Sequence, residues 1–247
     1  MASLPQSHLV PGASSSPAAG SDGVGVNGAV WGLVVAAGSG RRFGAEKQFL
    51  SLAGKPVHLW AVEATRSVAI GVVLVVPAGR EQDANLAGGA DFVVAGGETR
   101  SASVRAGLQA VPGDADIIVV HDAARPIASE ALFRSVVAAV EAGADAAIPG
   151  VPLVDTVKSV ERGIVSSTLD RSHLVRVQTP QAFRSTTLRR AHSSAPESTD
   201  DAAAVEAIGA QVVVVLGEEA NVKITSPSDL SLLEWRLSCG ASARDAQ

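Results

Sequence analysis

From residue 30 onward the chain alternates short runs rich in Val and Ile with longer amphipathic stretches. Apolar runs without polar interruption are typical of strands that are buried on both faces of a sheet. Strands that alternate with helices form a mostly parallel sheet covered by those helices. The sequence therefore predicts an α/β fold, a twisted, mostly parallel sheet with helices on both faces. The predicted strands are 30–36, 71–76, 91–95, 116–121, 145–151 and 211–216, and the predicted helices are 57–67, 99–111, 129–142, 200–208 and 227–237.

One segment, residues 152–184, interrupts this alternation. It carries two short β-like pieces, 156–160 and 163–168, and Glu161-Arg162-Gly163 between them is typical of a turn. Two short strands joined by a tight turn form a hairpin rather than a strand-helix-strand unit. Because an isolated hairpin is only marginally stable in water, such an arm needs a surface to pack on. We expect a protruding β-hairpin arm that packs on a second copy of the chain, in a homodimer.

The remainder of the chain predicts a single folded domain. Residues 1–28 are rich in Ser, Pro, Gly and Ala, which is typical of a disordered tail and not of a signal peptide. We expect one domain over 29–238, then a flexible C-terminal tail over 239–247 with no second enzyme domain. The net charge of -5 argues against a protein that coats nucleic acid. No apolar run approaches the ~20 residues that cross a bilayer, and the single cysteine excludes an intramolecular disulfide, so we expect a cytoplasmic protein.

The loop after the first predicted strand points to a phosphate ligand. Residues 33–50 read LVVAAGSGRRFGAEKQFL, so a buried strand runs directly into glycines, arginines and a lysine. Glycines let the backbone approach a ligand closely, and fixed N–H donors beside cations suit a polyphosphate. A tight strand-to-helix turn with solvated arginines is the structural alternative. The glycine spacing departs from the dinucleotide fingerprint of Rossmann dehydrogenases, and no Gly-Lys-Ser/Thr of a Walker loop follows. The candidate phosphate donors are Gly38, Ser39, Gly40, Arg41, Arg42 and Lys47.

Polar motifs also follow the other predicted strands. Ligands bind at the carboxyl ends of strands in an open α/β sheet, so these loops are where we expect a site. In VHDAARP, residues 120–126, Asp122 can bind a metal or a sugar hydroxyl and Arg125 can bind a phosphate. Taken singly, each motif also fits turn and cap chemistry, with Thr99 as a helix N-cap and Asp122 paired to Arg125. The other motifs are GGETRSASV (96–104), DTVK (155–158), LDRS (169–172), TPQAF (179–183), STDDAAAVE (198–206) and NVKIT (221–225).

Together with AAGSGRRFG and KQF, these motifs stand in the order of one enzyme family. From about residue 31 to 237 the chain resembles the 2-C-methyl-D-erythritol 4-phosphate cytidylyltransferases of the non-mevalonate isoprenoid pathway. VHDAARP with TPQ and NVKIT is narrow, whereas AAGxGxR is shared by sugar-phosphate nucleotidyltransferases in general. The resemblance implies a Rossmann-like fold of the nucleotide-diphospho-sugar transferase type. It also implies transfer of CMP from CTP to methylerythritol phosphate, with Mg²⁺ as cofactor and pyrophosphate as product, by a stand-alone enzyme.

The resemblance further implies roles for individual residues. The catalytic residues would be Arg42, Lys47 and Lys223. The residues that contact CTP would be Ala36, Ala37, Gly38, Ser39, Gly40, Gly97, Glu98, Arg100, Ser103 and Asp122. The residues that contact methylerythritol phosphate would be Asp122, Arg125, Thr156, Arg171, Thr179, Thr199 and Lys223, of which Thr156 and Arg171 would reach from the arm into the neighbouring subunit's site. The CTP phosphates would hold most of the coordination of Mg²⁺, with Asp122 nearby.

Two other interpretations stay open at this point. Ribitol phosphate cytidylyltransferases share most of these motifs, so the acceptor could be another polyol or sugar phosphate. A non-catalytic protein of the same fold would bind CTP without turnover, although the presence of both Arg42 and Lys47 argues against it. The motifs do fit the chemistry, because an attacking phosphate oxygen is already a nucleophile and needs only positioning and charge neutralisation.

Overall fold

The computed structural model describes residues 28–38, 40, 43–194, 197–198 and 200–244. No helix in this part of the chain is long and apolar enough to cross a membrane. The strands are β1 (Val30–Val35), β2 (Ser51–Leu52), β3 (Lys55–Pro56), β4 (Gly71–Val76), β5 (Phe92–Ala95), β6 (Ile117–Asp122), β7 (Ala146–Pro152), β8 (Lys158–Glu161), β9 (Ile164–Thr168), β10 (Val175–Val177), β11 (Gln181–Arg184) and β12 (Val212–Leu216). The helices are α1 (Val57–Arg66), α2 (Ala84–Ala87), α3 (Arg100–Ala110), α4 (Glu130–Glu141), α5 (Ser185–Ser194), α6 (Asp201–Ala207) and α7 (Pro227–Arg244).

The main sheet has a reversal of strand order at its centre. Its order is β10-β7-β11-β6-β1-β4-β5, and β12 pairs with β7. Strand β1 lies parallel to β4 on one side and to β6 on the other. The chain therefore runs outward from β1 through β4 to β5 and then crosses back to β6. A reversal of this kind opens a crevice at the carboxyl ends of the two inner strands, which is where α/β proteins bind ligands.

Helices cover both faces of the sheet, and this explains why the strands are apolar without alternation. Val34 of β1 belongs to the hydrophobic cluster of Phe133, from α4. The residue before it, Leu33, belongs to the cluster on the opposite face of the sheet, with Leu108 of α3. Successive residues of β1 thus enter two different core layers, and the predicted α/β fold with helices on both faces is confirmed.

The predicted elements hold with two exceptions. The six predicted strands and the first four predicted helices match the structure within one residue at each end, whereas α7 continues to Arg244 instead of ending at 237. The arm is narrower than the predicted 152–184. Only β8 and β9 form the separate hairpin, while β10 and β11 pair antiparallel with β7 in the main sheet. Strands of three and four residues are too short to reveal their period in sequence.

Candidate active site

A cleft of about 930 Å³ opens at the carboxyl ends of β1 and β6, at the strand-order reversal. Its walls come from the loop after β1, the start of α3, the end of β6 and the segment before α7. The sequence predicts a site in the loops that follow the strands, and the fold brings residues of these loops together in one cleft. Two predicted catalytic residues line the cleft, Lys47 and Lys223, together with the predicted CTP contacts Ala36, Ala37, Gly38, Gly40, Gly97, Glu98, Arg100, Ser103 and Asp122.

The loop after β1 forms a tight turn that only glycine permits. Gly40 has a φ of +62°, and a Cβ there would lie 1.8 Å from the backbone oxygen of Ala45. Its carbonyl oxygen accepts hydrogen bonds from the backbone N–H groups of Phe43 (2.8 Å) and Gly44 (2.9 Å). The buried side chain of Gln48, which sequence reasoning missed, donates to the carbonyl oxygen of Gly38 (2.9 Å). The loop is thus held at both ends with its backbone beside the cleft.

The start of α3 forms the second wall. A Cβ on Gly96 would lie 2.4 Å from the Cβ of Ala37, so the glycine lets this loop pack against the loop after β1. The Thr99 hydroxyl accepts from the backbone N–H of Ala102 (3.0 Å), which confirms the predicted N-cap. Glu98 is exposed and lines the cleft next to this cap. The motif GGETRSASV therefore both caps α3, through Thr99, and contributes to the cleft, through Glu98.

Asp122, the last residue of β6, is the centre of charge in the cleft. Its Oδ2 lies 2.5 Å from Nζ of Lys223, and its Oδ1 lies 3.3 Å from Nε of Arg100. Burial acts to raise the pKa of this carboxyl, but the charges of Arg100 and Lys223 outweigh burial and hold it well below its usual range. Asp122 is therefore an ionised, fixed acceptor at neutral pH, and its ion pairs reach two other motifs rather than Arg125.

The two predicted catalytic lysines of the described chain meet at one wall of the cleft. Lys47 stands in a short 3-10 helix and its ammonium donates to the carbonyl oxygen of Ile224. The preceding residue, Lys223, extends to Asp122. Together with Arg100 these lysines give the described lining of the cleft three cations against two carboxylates, Asp122 and Glu98. Such an excess of positive charge beside backbone donors suits a polyphosphate ligand.

Arg125 lies beside the cleft and not in its lining. Its guanidinium donates to the carbonyl oxygens of Asn221 (2.7 Å) and Val177 (3.4 Å). These bonds tie β10 to the segment that carries Lys223. The predicted contact between Arg125 and the acceptor phosphate stays a prediction, since within this chain the side chain supports the wall.

His121 and Thr179 form a buried pair behind Asp122. The Thr179 hydroxyl accepts from the backbone N–H of Asp122 (3.0 Å) and so donates to Nδ1 of His121 (3.2 Å). The hydrogen of the imidazole then lies on Nε2, which donates to the carbonyl oxygen of Arg125 (3.0 Å). Burial lowers the pKa of His121 to about 4. The histidine is therefore neutral and structural, and the predicted acceptor contact of Thr179 stays a prediction.

Several predicted residues are not brought to the cleft of this chain. Thr156 and Arg171 are exposed near the arm, where Arg171 donates to the carbonyl oxygen of Val154. Neither residue lines the cleft of this chain, and their predicted role in a neighbouring subunit's site stays a prediction. Ser39, Arg41, Arg42 and Thr199 lie outside the described residues, as do residues 1–27 of the predicted tail.

Sequence reasoning also missed the buried support behind Arg100. Asp201 of α6 pairs with Arg100, and His192 of α5 pairs with Asp201. In the sequence Asp200 and Asp201 both suit the start of a helix, but only Asp200 acts as the cap, with its Oδ1 accepting from the N–H of Ala203 (2.8 Å). A helix needs only one cap, so the second of two adjacent acidic residues was the signal in the sequence for a further role.

Known proteins share both this sequence pattern and this fold. A family model for 2-C-methyl-D-erythritol 4-phosphate cytidylyltransferase (IspD) matches residues 30–238. A relative of that name from Streptomyces avermitilis is 43% identical over 222 residues, 82% of this chain and 89% of its own length. The crystal structure of 2-C-methyl-D-erythritol 4-phosphate cytidylyltransferase from Thermus thermophilus has a TM-score of 0.73 and 35% identity, over 83% of this chain and 98% of that one.

Some relatives are longer than this chain. The bifunctional enzyme IspD/IspF of Nitratidesulfovibrio vulgaris is 43% identical over 226 residues, and the match spans 83% of this chain but 57% of that protein. The match to the family model, residues 30–238, includes every residue that lines the cleft. The chain belongs to the 2-C-methyl-D-erythritol 4-phosphate cytidylyltransferase family.

Proposed function

We propose that this protein transfers CMP from CTP to 2-C-methyl-D-erythritol 4-phosphate and releases pyrophosphate, as a step of isoprenoid biosynthesis. The observation that carries the proposal is the cleft at the strand-order reversal, where Lys223 and Arg100 hold the ionised Asp122 and Lys47 lines the same cleft beside a glycine turn. Family membership supports CTP and methylerythritol phosphate as the two substrates. Because both are charged metabolites of the cell interior, the proposal includes the cytoplasm as the place of action.

The reaction joins two anions, so repulsion between them is the main obstacle. An oxygen of the acceptor phosphate attacks the α-phosphorus of CTP, and the bond from that phosphorus to the oxygen bridging to the β-phosphorus breaks. The attacking oxygen is already ionised at neutral pH, so no base is required. Preorganised cations and backbone donors are the devices that stabilise such a transition state.

The residues of the cleft fit this requirement with distinct tasks. Lys47 and the glycine turn would hold the triphosphate, with Arg42 of the same loop as a further predicted cation. Lys223 lines the cleft and pairs with Asp122, so it would bridge that carboxylate to the incoming phosphate. Asp122, an acceptor fixed by its two ion pairs, would receive hydrogen bonds from the hydroxyl groups of a substrate.

The described residues fit a magnesium ion that arrives on the nucleotide. Among them, no group of three His, Cys, Asp or Glu side chains could hold a metal by itself. Asp122 is the carboxylate at the cleft floor, and both of its oxygens already have cationic partners. Mg²⁺ is commonly held by substrate phosphates with few protein ligands. When bound, the ion would neutralise phosphate charge, and Asp122 would be the residue to contribute an oxygen.

We also propose a homodimer formed through the arm. The β8–β9 hairpin carries Val160, Ile164 and Val165, which are all more than half exposed. Apolar side chains on a marginal two-stranded hairpin favour a covered surface. Thr156 and Arg171 lie at the base of this arm and would complete the neighbouring subunit's site.

The test is pyrophosphate release by the purified protein with Mg²⁺ and CTP. Parallel reactions contain methylerythritol phosphate, ribitol 5-phosphate or no acceptor. We expect release with methylerythritol phosphate alone. Release only with ribitol 5-phosphate would keep the mechanism and overturn the acceptor. CTP binding by calorimetry without release under any condition would overturn the proposal of an enzyme.

A further inference from the structure

A chain of paired polar side chains runs from the cleft floor to α5. Nη1 of Arg100 lies 2.7 Å from Oδ2 of Asp201, while Nε of the same guanidinium lies 3.3 Å from Oδ1 of Asp122. On its far side Asp201 accepts, through Oδ1, a hydrogen bond from Nε2 of His192 (3.0 Å). Asp201 is fully buried and His192 is 4% exposed. Asp201 and His192 therefore stand behind Arg100, out of reach of a substrate.

Stability alone does not account for this arrangement. A buried ion pair loses much of its Coulomb attraction to desolvation, and apolar residues of similar volume often stabilise as well. Asp201 is not needed as the cap of α6 either, because Asp200 fills that position. A role in the geometry of the cleft is the remaining explanation for a charge so deeply placed.

Geometry supplies that role. The arginine side chain is long and flexible, but its planar guanidinium is fixed when carboxylates bind two of its edges. With Asp201 on one edge, the other edge is presented to Asp122. Without Asp201 the guanidinium would lose its anchor and could turn from Asp122 toward the phosphates of a nucleotide in the same cleft.

We infer that Asp201, braced by His192, is a positioning residue that fixes Arg100 against Asp122 and thereby aims the Asp122 carboxylate at the acceptor. The inference rests on the proposed function for its substrate. Neither Asp201 nor His192 touches the reacting atoms, so both act through Arg100.

The decisive experiment is a double-mutant cycle with Asp201→Asn and Arg100→Gln. Asp201→Asn keeps the shape of the side chain and removes its charge. Since small misplacement of a reacting group costs up to about 100-fold, we expect kcat to fall by roughly 10- to 100-fold, and we expect the freed guanidinium to change the Kd for CTP as well. In the Arg100→Gln background the same substitution should cost nothing more. Additive losses would overturn the inference.

A second pair of variants tests the brace without removing a charge. His192→Gln keeps a nitrogen donor for Asp201, whereas His192→Leu keeps volume and removes the donor. We expect the Gln variant to stay within about threefold of wild-type kcat and the Leu variant to lose about tenfold. Equal losses in both, or a better Leu variant, would overturn the brace. Arg134→Gln, which removes an exposed ion pair with Glu130, is the surface control and should be neutral.

Failure of the proposed function is seen separately. Wild-type turnover is measured first, and its absence would overturn the proposed reaction. The cycle is then read on the Kd for CTP by calorimetry, which needs no acceptor. Coupling between Asp201 and Arg100 in that Kd supports the positioning role, and independent effects overturn it. Thermal unfolding of each variant ensures that every value is compared per folded molecule.

Discussion

The cleft and the arm differ in where their side chains find partners. In the cleft, Asp122 is 8% exposed and its carboxylate is bound by two cations of the same chain. In the arm, Ile164 is apolar yet 73% exposed, and Val165 beside it is 56% exposed. The cleft floor is therefore completed by one chain, whereas the arm offers an apolar surface that only another molecule can cover.

The difference extends to electrostatics. Groups at the cleft floor are buried enough for their ionisation to depend on their neighbours. The cations Arg100 and Lys223 lower the pKa of Asp122 against the effect of its burial, whereas burial itself lowers the pKa of His121. The side chains of β9 are all exposed. We therefore expect substitutions in the cleft to change turnover and pH dependence, and substitutions of the exposed apolar residues of the arm to change association.

The largest effect that would test this contrast is loss of a cleft lysine. We expect Lys47→Ala to lower turnover by about 100-fold or more, because removing one donor aimed at developing charge costs ~3 kcal/mol. Lys158→Ala is the matched control, since Lys158 lies on β8 and its ammonium bonds to Thr168 (2.6 Å) within the hairpin. Pyrophosphate release at saturating substrate measures both variants. Near-normal turnover of Lys47→Ala would remove this lysine from the mechanism.

The next effect concerns stability against pH. His121 has a folded-state pKa of about 4 against an ordinary 6.5, so between these values unfolding takes up a proton. The free energy of unfolding should therefore rise with pH over this window, by about 2 kcal/mol between pH 5 and pH 7 from this residue. Burial also lowers the pKa of His58, which adds a slope of the same sign.

Urea unfolding at four pH values between 4.5 and 7.5 measures this slope. We expect His121→Gln to flatten it, because the amide can bond to Thr179 but does not titrate. His173→Gln, at an exposed position that follows the arm, should leave the slope as it is in the wild type. If His121→Gln kept the full wild-type slope, the buried imidazole would not be the neutral group that its bonds indicate.

A smaller effect tests the arm across the dimer. We expect Arg171→Ala to lower activity about tenfold through loss of a charged hydrogen bond to substrate. Mixing it with Lys47→Ala subunits places both lesions in one site of each heterodimer and leaves the other site intact. In a symmetric dimer that exchanges freely, about a quarter of all sites are then restored. Absence of any recovered activity, with subunit exchange verified by mass, would contradict the shared site.

The sequence predicted what depends on local pattern. The ends of β4 could be predicted because its residues, all buried, form an apolar run that turn residues flank. The turn at Gly40 could be predicted because the φ that it requires is disfavoured in other residues. Strand β11 was missed because its place between β6 and β7 comes from long-range pairing, and its four residues carry no period. The position of a strand in a sheet depends on tertiary contacts, which the sequence of a short strand does not predict.

The site divides in the same way. Motifs located Asp122 and Lys223, but nothing local joins residues 101 positions apart into an ion pair. Asp201 shows the limit most clearly, because it stands in a quoted motif and still looked like ordinary helix-start chemistry. Its partners Arg100 and His192 come from two other helices, so only the fold identifies it.

We expect the smallest effect at the rim of the cleft, where the side chains are exposed like those of the arm. Glu98 lines the cleft but is exposed, and no ion pair holds it among the described residues. Because exposed polar contacts contribute less than about 1 kcal/mol, we expect Glu98→Asp to change KM for CTP by roughly twofold and to leave kcat unchanged. Asp122→Glu makes the same one-methylene change at the buried floor and should cost far more. Equal effects of the two substitutions would contradict this prediction. They would mean that Glu98 is as important for activity as the ion-paired Asp122, despite its exposure.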